Sequence, residues 1–221
     1  MINRRNIAKI LEVLEEYTRR FSNPAVERVG RSDPFRVLVS TVISARTKDS
    51  VTRAASRRLF EVVKDPQDLL KIGEEKIAEL IYPAGFYRTK ARSLIELSRS
   101  LIDHFEGRVP DNMDDLLSLK GVGRKTANLV MVRGFDKFGI CVDTHVHRIT
   151  NRWGFVETHT PFETEMELRR NLSKKNWKEI NSILVTFGKN VCKPLGPLCD
   201  ICPISRCCEK MIAENKKKKR L

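Results

Sequence analysis

The sequence predicts an all-α fold with short loops, and three observations support this prediction. Apolar residues recur at helical spacing in successive segments of the 221-residue chain. Asp-Pro and Thr-Pro pairs, which favour the start of a helix, precede several of these segments. The alternation of apolar and polar residues that is typical of half-buried strands does not recur. A chain of this length can form one large domain or two small ones.

The predicted helices follow one another from the N-terminus. The first covers 3–21, where Leu14 and Tyr17 lie on one apolar stripe. The second begins at the capping sequence 32–34. The later helices start at capping residues or follow further apolar stripes, and they are predicted at 49–63, from 66 onward, at 74–81, at 88–105, at 124–132, from 161 onward and at 177–187.

The net charge of +14 and the isoelectric point of about 9.7 predict a polyanionic partner. A basic surface that serves solubility alone is the alternative. A membrane surface is a weaker candidate, because the basic residues are spread along the chain and no single amphipathic helix collects them. The lysine-rich end, 216–220, is predicted to be disordered and to add diffuse attraction to phosphate.

The sequence contains no signal for membrane insertion or targeting. No segment approaches the roughly 20 consecutive apolar residues that a membrane-spanning helix needs. Because 3–21 already forms a predicted helix, no targeting segment is expected before it. We therefore expect an intracellular protein, in the cytoplasm or associated with the nucleoid, and no membrane partner.

Five of the six cysteines fall within 192–208. Intracellular proteins rarely keep disulfides, so thiols this close in sequence indicate a metal site. Zinc sites usually pair cysteines two to four residues apart in two knuckles, and only Cys199 and Cys202 form such a pair. Cys192 and Cys208 are separated from that pair by six and five residues. This spacing favours an iron–sulfur cluster over zinc, and both over a metal-free role.

Two cysteines are not assigned by this spacing. Cys207 competes with Cys208 as the fourth ligand, because a tight loop can use only one of the two. Cys141 lies far from the other five in sequence and is predicted to be a buried apolar residue.

The segment LKGVGRKTAN, 119–128, predicts a glycine turn followed by a helix. Gly121 and Gly123 permit a tight turn, and the N–H groups at the start of the next helix can hold a phosphate. A purely structural turn is the alternative, although Lys120 and the basic composition favour a helix–hairpin–helix that binds nucleic acid. Arg124 is predicted to contact a phosphate.

Lys125 occupies the first turn of that helix, where the partial positive charge of the helix end disfavours a cation. A nucleophilic amine must be uncharged, and desolvation in a cleft would disfavour the ammonium form further. A position that is unfavourable for a structural lysine therefore suits a lysine that forms a Schiff base. The alternative is that Lys125 only contacts a phosphate.

The segment VDTHVHR, 142–148, places Asp143 directly before a predicted helix. Its carboxylate either caps the helix or stabilises positive charge on a sugar as a base departs. His145 and His147 are two residues apart, a spacing that puts them on different helical faces. They are therefore predicted to pack or to contact phosphate rather than to bind a metal together.

These segments resemble those of the endonuclease III family, DNA glycosylases with AP-lyase activity in the helix–hairpin–helix superfamily. The resemblance covers about 5–212 and rests on the hairpin at 119–128, the aspartate segment at 142–148 and the cysteine loop. The family's loop implies four ligands for a [4Fe–4S] cluster, namely Cys192, Cys199, Cys202 and Cys208.

The resemblance also implies the architecture and the reaction. A six-helix domain with the hairpin would span 27–137, a cluster domain would combine 1–26 with 138–221, and DNA would bind in a cleft between them. Lys125 would attack C1′ of a flipped nucleotide, displace an oxidised or damaged pyrimidine and cut the 3′ side by β-elimination, with help from Asp143. The partner would be double-stranded DNA containing a damaged base or an abasic site, bound by a monomer.

The chain departs from the family pattern at two DNA-contacting positions. Lys120 replaces the usual proline of the hairpin, which adds a phosphate contact and loosens the turn. Arg46 in SARTKD replaces the usual glutamine, which fills the gap left by the flipped base. Phe86 in PAGFYRTK is predicted to be a second inserted side chain, and Lys193 a phosphate contact. Two further residues are predicted to support the active site, Asp49 and His145.

We hypothesise that Arg46 contacts the base opposite the lesion. Arginine only donates hydrogen bonds, and guanine presents the acceptors O6 and N7. We therefore expect Arg46 to favour lesions opposite guanine; a contact with a backbone phosphate is the alternative.

Three functions remain open from the sequence. A bifunctional glycosylase and lyase for oxidised pyrimidines is the leading hypothesis. A monofunctional glycosylase for uracil or thymine opposite guanine is the second, and Lys125 argues against it. A DNA-binding, redox-sensing module without enzyme activity is the third, and nicking of a duplex with one abasic site would exclude it.

Overall fold

The computed structural model describes residues 1–21 and 33–209, and within these ranges it contains helices and no strand. The helices are α1 (Ile7–Thr18), α2 (Pro34–Ser44), α3 (Asp49–Val62), α4 (Pro66–Ile81), α5 (Tyr87–Phe105), α6 (Met113–Ser118), α7 (Arg124–Gly134), α8 (Thr144–Arg152), α9 (Pro161–Asn171) and α10 (Ile180–Asn190). Short 3₁₀ turns occur at Lys174–Asn176 and Cys199–Ile201. The all-α prediction is confirmed.

The chain divides into two compact units. Among the described residues, 33–139 form the first, called here the hairpin unit, and 1–21 with 140–209 form the second, the cysteine unit. The sequence predicts the division after 137, and the structural division follows Gly139. The predicted features at 22–32 and 216–220 lie outside the described residues. No helix among those described is both long and apolar enough to cross a bilayer.

The hairpin unit contains α2 to α7, packed around one apolar core. Leu38, Leu59 and Leu94 are fully buried in it, and each such side chain contributes about 1.5–3 kcal/mol by leaving water. α4 packs mainly against α5, and α2 against α7. The predicted helices from 66 and at 74–81 are both present within α4, and they are separated at Gly73, whose backbone (φ 77°, ψ 167°) is not helical.

The cysteine unit contains α1 and α8 to α10 around a second core, in which Trp153 and Phe187 are buried. α1 is shorter than the predicted 3–21, because the first residues form a turn in which the Asn6 side chain accepts a hydrogen bond from the N–H of Asn3 (2.8 Å). α10 begins after the predicted 177, because Trp177 ends a 3₁₀ turn and donates its indole N–H to the carbonyl of Leu172 (2.9 Å).

Candidate functional site

The hairpin lies between α6 and α7, and two buried apolar residues anchor it to the core. Leu119 and Val122 are buried, and the N–H of Val122 donates to the carbonyl of Leu119 (3.0 Å). Gly121 has φ 82°, in the left-handed region that glycine adopts without strain. Gly123 is the N-cap of α7 and has no side chain that could accept from the first turn. The turn therefore presents a helix end suited to a phosphate.

Lys120 is exposed beside this turn, and its amine forms an ion pair with Glu96 (3.0 Å). The predicted phosphate contact thus requires that the amine leave Glu96. Exposed ion pairs of this kind contribute only about 0–1 kcal/mol, so a phosphate can replace the carboxylate.

Arg124 and Lys125 occupy the first turn of α7, as the sequence predicts. Arg124 is half-buried, and its carbonyl accepts from the side-chain amide of the fully buried Asn128 (3.1 Å). Lys125 is exposed to solvent. The protein therefore supplies the positive helix end, whereas removal of water from the amine requires a bound substrate.

Arg46 and Phe86 lie next to each other in the hairpin unit, on two separate loops. Both are exposed, Phe86 by 64%, and both have left-handed backbone, with φ 51° and 56°. The guanidinium carbon of Arg46 lies 5.7 Å from the centre of the Phe86 ring. Because such backbone is strained for side chains other than glycine, the loops must be held by surrounding contacts. We call this pair the wedge pair.

Asp143 is the N-cap of α8. Its Oδ1 accepts from the N–H groups of His145 (2.8 Å) and Val146 (2.9 Å). The capping interpretation from the sequence is therefore correct. Capping uses only one oxygen of the carboxylate, because both cap hydrogen bonds are to Oδ1 and Oδ2 takes no part in the cap.

The two histidines of α8 have different surroundings. His147 Nδ1 lies 2.7 Å from the hydroxyl of Thr164, which also bonds to Thr158 (2.6 Å), so His147 packs in a local polar network. His145 Nδ1 lies 3.2 Å from the guanidinium of Arg148. Asp49, the other predicted support residue, begins α3, where the helix end favours a negative charge.

The cysteine loop borders a cavity, and the four predicted cluster ligands are among the residues that line it. The residues that line it include all four predicted cysteines together with apolar and polar neighbours, namely Cys192, Cys199, Cys202, Cys208, Trp153, Phe187, Val191, Pro197, Leu198, Ser205 and Arg152. Cys207 is not part of this lining, and its thiol donates to the carbonyl of Ile204 (3.3 Å). Burial raises the pKa of the Cys202 thiol to about 11, with smaller contributions from the neighbouring thiols. Cys141 is buried, as predicted.

Cubane clusters and single ions make different demands on such a loop. Within the described residues, no three His, Cys, Asp or Glu side chains are grouped as ligands of one ion. A single zinc needs four donors on one atom, at about 2.3 Å for sulfur. A [4Fe–4S] body instead places its four thiolates around a larger object. Cys192, Cys199, Cys202 and Cys208 all line one cavity, so they share one space rather than one point.

Two arginines that the sequence analysis missed join α8 to this loop. Arg148 donates to the carbonyl of Cys192 (2.8 Å). The buried Arg152 donates to the sulfur of Cys192 (3.2 Å) and to the carbonyl of Lys193 (2.8 Å). The side chain of Lys193 is left at an exposed position. The four-residue spacing of the two arginines, on one face of α8, was the available sequence signal.

A third missed residue is Lys90, in the first turn of α5. It is only 6% exposed, and its amine donates to the carbonyls of Ile43 (2.7 Å) and Ala45 (2.6 Å) and to the hydroxyl of Thr47 (2.7 Å). Burial lowers its pKa to about 8. The available sequence signal was a cation four residues before Leu94, on the apolar stripe of α5.

Known proteins resemble the chain over most of its length. Residues 39–174 match the family described as HhH-GPD superfamily base excision DNA repair protein. Endonuclease III of Thermotoga maritima is 48% identical over 200 residues, which cover 90% of this chain and 92% of that protein. Endonuclease III of Bacillus subtilis is 34% identical over 213 residues, covering 96% and 97%.

Solved structures give the same result. A trapped endonuclease III–DNA covalent intermediate, in an estranged-adenine complex, matches with a TM-score of 0.84 and 32% identity over all of both chains. A thermostable thymine-DNA glycosylase matches with a TM-score of 0.79 and 25% identity, covering 92% of this chain and 95% of that one.

Proposed function

Because the chain belongs to the endonuclease III family within the HhH-GPD superfamily of base excision DNA repair proteins, we propose that it is a bifunctional enzyme that removes oxidised or damaged pyrimidines. The chain is a DNA glycosylase of base excision repair, and AP-lyase activity is typical of its family. The observation that carries the bifunctional assignment is the position of Lys125, an exposed amine in the first turn of the helix that follows the glycine hairpin.

Lys125 is the proposed nucleophile. Its uncharged amine attacks C1′ of the deoxyribose, the bond from C1′ to the base breaks, and the base leaves with a proton. The sugar ring then opens to an imine between C1′ and Nζ. Loss of a proton from C2′ expels the 3′ phosphate, which cuts the strand, and water releases the enzyme from the imine.

Asp143 is the proposed electrostatic partner in this reaction. Its carboxylate stabilises positive charge that develops on the sugar and accepts a proton from the attacking amine. This assignment follows from the family resemblance of its segment. The N-cap geometry supports it, because Oδ1 fixes the side chain on α8 while Oδ2 remains outside the cap.

The hairpin and the wedge pair are the proposed DNA contacts. The start of α7, with Arg124 and Lys120 beside it, binds a backbone phosphate. Arg46 and Phe86 enter the stack where the nucleotide has left, so that the cost of unstacking is offset. Lys193 meets the backbone from the cysteine loop. Double-stranded DNA with a damaged base or abasic site is the proposed partner, and the protein acts as a monomer.

We also propose a [4Fe–4S] cluster held by Cys192, Cys199, Cys202 and Cys208. The cavity ringed by these four residues supports this set over one that uses Cys207. When bound, the cluster would fix the loop that carries Lys193 and would take no direct part in bond breaking. The apolar side chains of the cavity keep water from the site, and Arg152 donates to the sulfur of Cys192.

A borohydride trapping experiment tests the proposed reaction. Wild-type protein should nick a duplex with one abasic site and be trapped on it, whereas Lys125→Gln should lose trapping and keep most of its DNA affinity. Lys76→Gln is the matched control, since Lys76 is another exposed lysine of the hairpin unit and pairs only locally with Glu79 (2.9 Å). Trapping of Lys125→Gln at the wild-type level would show that another amine is the nucleophile. If wild type nicks nothing, the bifunctional assignment is wrong, and a monofunctional glycosylase and a redox-sensing module remain.

A mismatch glycosylase is the second candidate, and Arg46 is the observation that favours it. The exposed guanidinium beside Phe86 offers only donors, which suits guanine better than adenine. A contact of this kind contributes about 1–3 kcal/mol, or roughly 5- to 150-fold in rate ratio. The rate of removal of one lesion should therefore be measured opposite guanine and opposite adenine. The ratio of these two rates should be higher for wild type than for Arg46→Gln. If the substitution lowers both rates equally, Arg46 does not read the opposite base.

The cellular location is a separate proposal. We propose that the protein works in the cytoplasm or with the nucleoid, where its DNA substrate lies. Fractionation of cells with an antibody against the protein would test this.

A further inference from the structure

One buried lysine bonds to the segment that carries Arg46. Lys90 places three N–H donors against three acceptors, the carbonyls of Ile43 and Ala45 and the hydroxyl of Thr47. These acceptors flank Arg46 on both sides, since they belong to the end of α2 and the loop that follows. Lys90 itself lies four residues after Phe86, in the first turn of the helix that Phe86 begins. One amine therefore connects the segments that carry both wedge residues.

Thr47 extends this connection to the second loop. Its hydroxyl, which accepts from Lys90, also accepts from the N–H of Gly85 (3.1 Å), the residue before Phe86. The loops also meet backbone to backbone, because a Cβ on Gly85 would lie 2.6 Å from the carbonyl oxygen of Arg46. The placement of Arg46 relative to Phe86 thus depends on contacts that link Lys90, Thr47, Gly85 and Arg46.

The loop that carries Arg46 follows the end of α2. Residues 45–48 form neither helix nor strand, so the carbonyls of Ile43 and Ala45 lie outside a continuing helical ladder. A buried lysine is costly to desolvate, and an apolar residue would continue the stripe of α5 without that cost. A side chain with three donors, however, pairs with the carbonyl of Ile43, with the hydroxyl of Thr47 and with the carbonyl of Ala45, which also accepts from the Thr47 hydroxyl (3.2 Å).

We propose that Lys90 is a positioning residue, which holds Arg46 and Phe86 in the arrangement needed to enter a DNA duplex. This inference rests on the proposed function, because it presupposes a nucleotide that is extruded from a stack. It adds a residue that touches no DNA and acts through the wedge pair. It also explains how two adjacent loops keep left-handed backbone at exposed arginine and phenylalanine residues.

Two substrates distinguish a positioning role of Lys90 from a general effect on the stability of the protein. An abasic site in a duplex requires the wedge, whereas the same site in a single strand has no stack to open. The measured quantity is the ratio of nicking rates on the two substrates at equal sequence, at about pH 7, where Lys90 is protonated. A variant that only loses folded protein lowers both rates by one factor and leaves the ratio unchanged.

Lys90→Met removes the donors and keeps an unbranched side chain of similar length. We expect its duplex to single-strand ratio to fall by roughly tenfold, because a wedge that is no longer preorganised leaves unstacking uncompensated. Thr47→Val removes the hydroxyl that accepts from Lys90 and from Gly85 but leaves the bonds of Lys90 to Ile43 and Ala45, so it should lower the ratio less and in the same direction. Leu101→Ala is the control, a core change on α5 three turns from Lys90, and it should leave the ratio unchanged.

The outcomes separate this inference from the function on which it rests. If wild type nicks neither substrate, the proposed lyase activity is wrong. If wild type nicks both, and folded Lys90→Met keeps the wild-type ratio, Lys90 stabilises the fold without positioning the wedge and the inference is wrong. If Lys90→Met does not fold, Thr47→Val alone decides by the same ratio.

Discussion

Replacing Asp143 should separate capping from catalysis, because the structure shows which atom makes the cap. Oδ1 accepts from the N–H groups of His145 and Val146, at 2.8 and 2.9 Å. Asparagine offers an Oδ1 in the same place and caps helices about as well as aspartate. Asp143→Asn therefore keeps both hydrogen bonds and removes only the charge.

The expected magnitudes follow from this geometry. Asp143→Asn loses the interaction of the carboxylate with the helix dipole, which contributes about 0.3–1 kcal/mol to the free energy of unfolding. Asp143→Ala loses the cap as well, for a further 0.5–2 kcal/mol or about 1–3 kcal/mol in total. If the charge stabilises the transition state, both variants should lose roughly 100- to 1,000-fold in the rate of base removal.

Two measurements test these values. Urea unfolding gives the free energy of unfolding, and single-turnover removal of an oxidised pyrimidine from a duplex gives the chemical rate. Thr160→Ala is the matched control, since Thr160 caps α9 in the same unit by accepting from the N–H of Glu163 (3.2 Å). It should lose stability and keep the chemical rate. Wild-type rates for Asp143→Asn would refute the catalytic role and leave Asp143 as a cap alone.

Three further predictions concern other parts of the molecule. Cys199→Ser should lower bound iron and acid-labile sulfide, whereas Cys207→Ser should keep both; stoichiometric zinc in the wild-type protein would contradict the cluster. Burial lowers the pKa of Lys90 to about 8 from its ordinary 10.5, so the unfolded chain binds more protons there between these values and the stability contributed by Lys90 rises with pH. The free energy of unfolding of wild type minus that of Lys90→Met should therefore increase from about pH 7 to about pH 9.5, and a constant difference would argue against the shift. Gly85→Ala brings a Cβ to 2.6 Å from the carbonyl of Arg46, so it should slow nicking of duplex abasic sites more than that of single-stranded ones, and equal slowing would contradict this.

The sequence alone determined the features that depend on neighbouring residues. The helical class follows from apolar spacing and from caps such as Asp33 and Asp65, whose side chains accept from backbone N–H groups within the next three residues. The hairpin turn follows from Gly121, because the turn needs left-handed backbone there (φ 82°), which glycine adopts without strain. These contacts join residues within about one helical turn of each other, so the amino-acid sequence alone predicts them.

Tertiary structure decided which charged side chains are buried and what they hold. Lys90 reaches acceptors 43 to 47 residues away in sequence, and Arg152 reaches Cys192 across 40 residues. Of the adjacent Cys207 and Cys208, Cys208 lines the cavity with the other three cysteines, which supports the ligand set that the family resemblance implies. Local pattern cannot contain these facts, because the cost of burying a polar group is offset only by partners that the packed chain brings close.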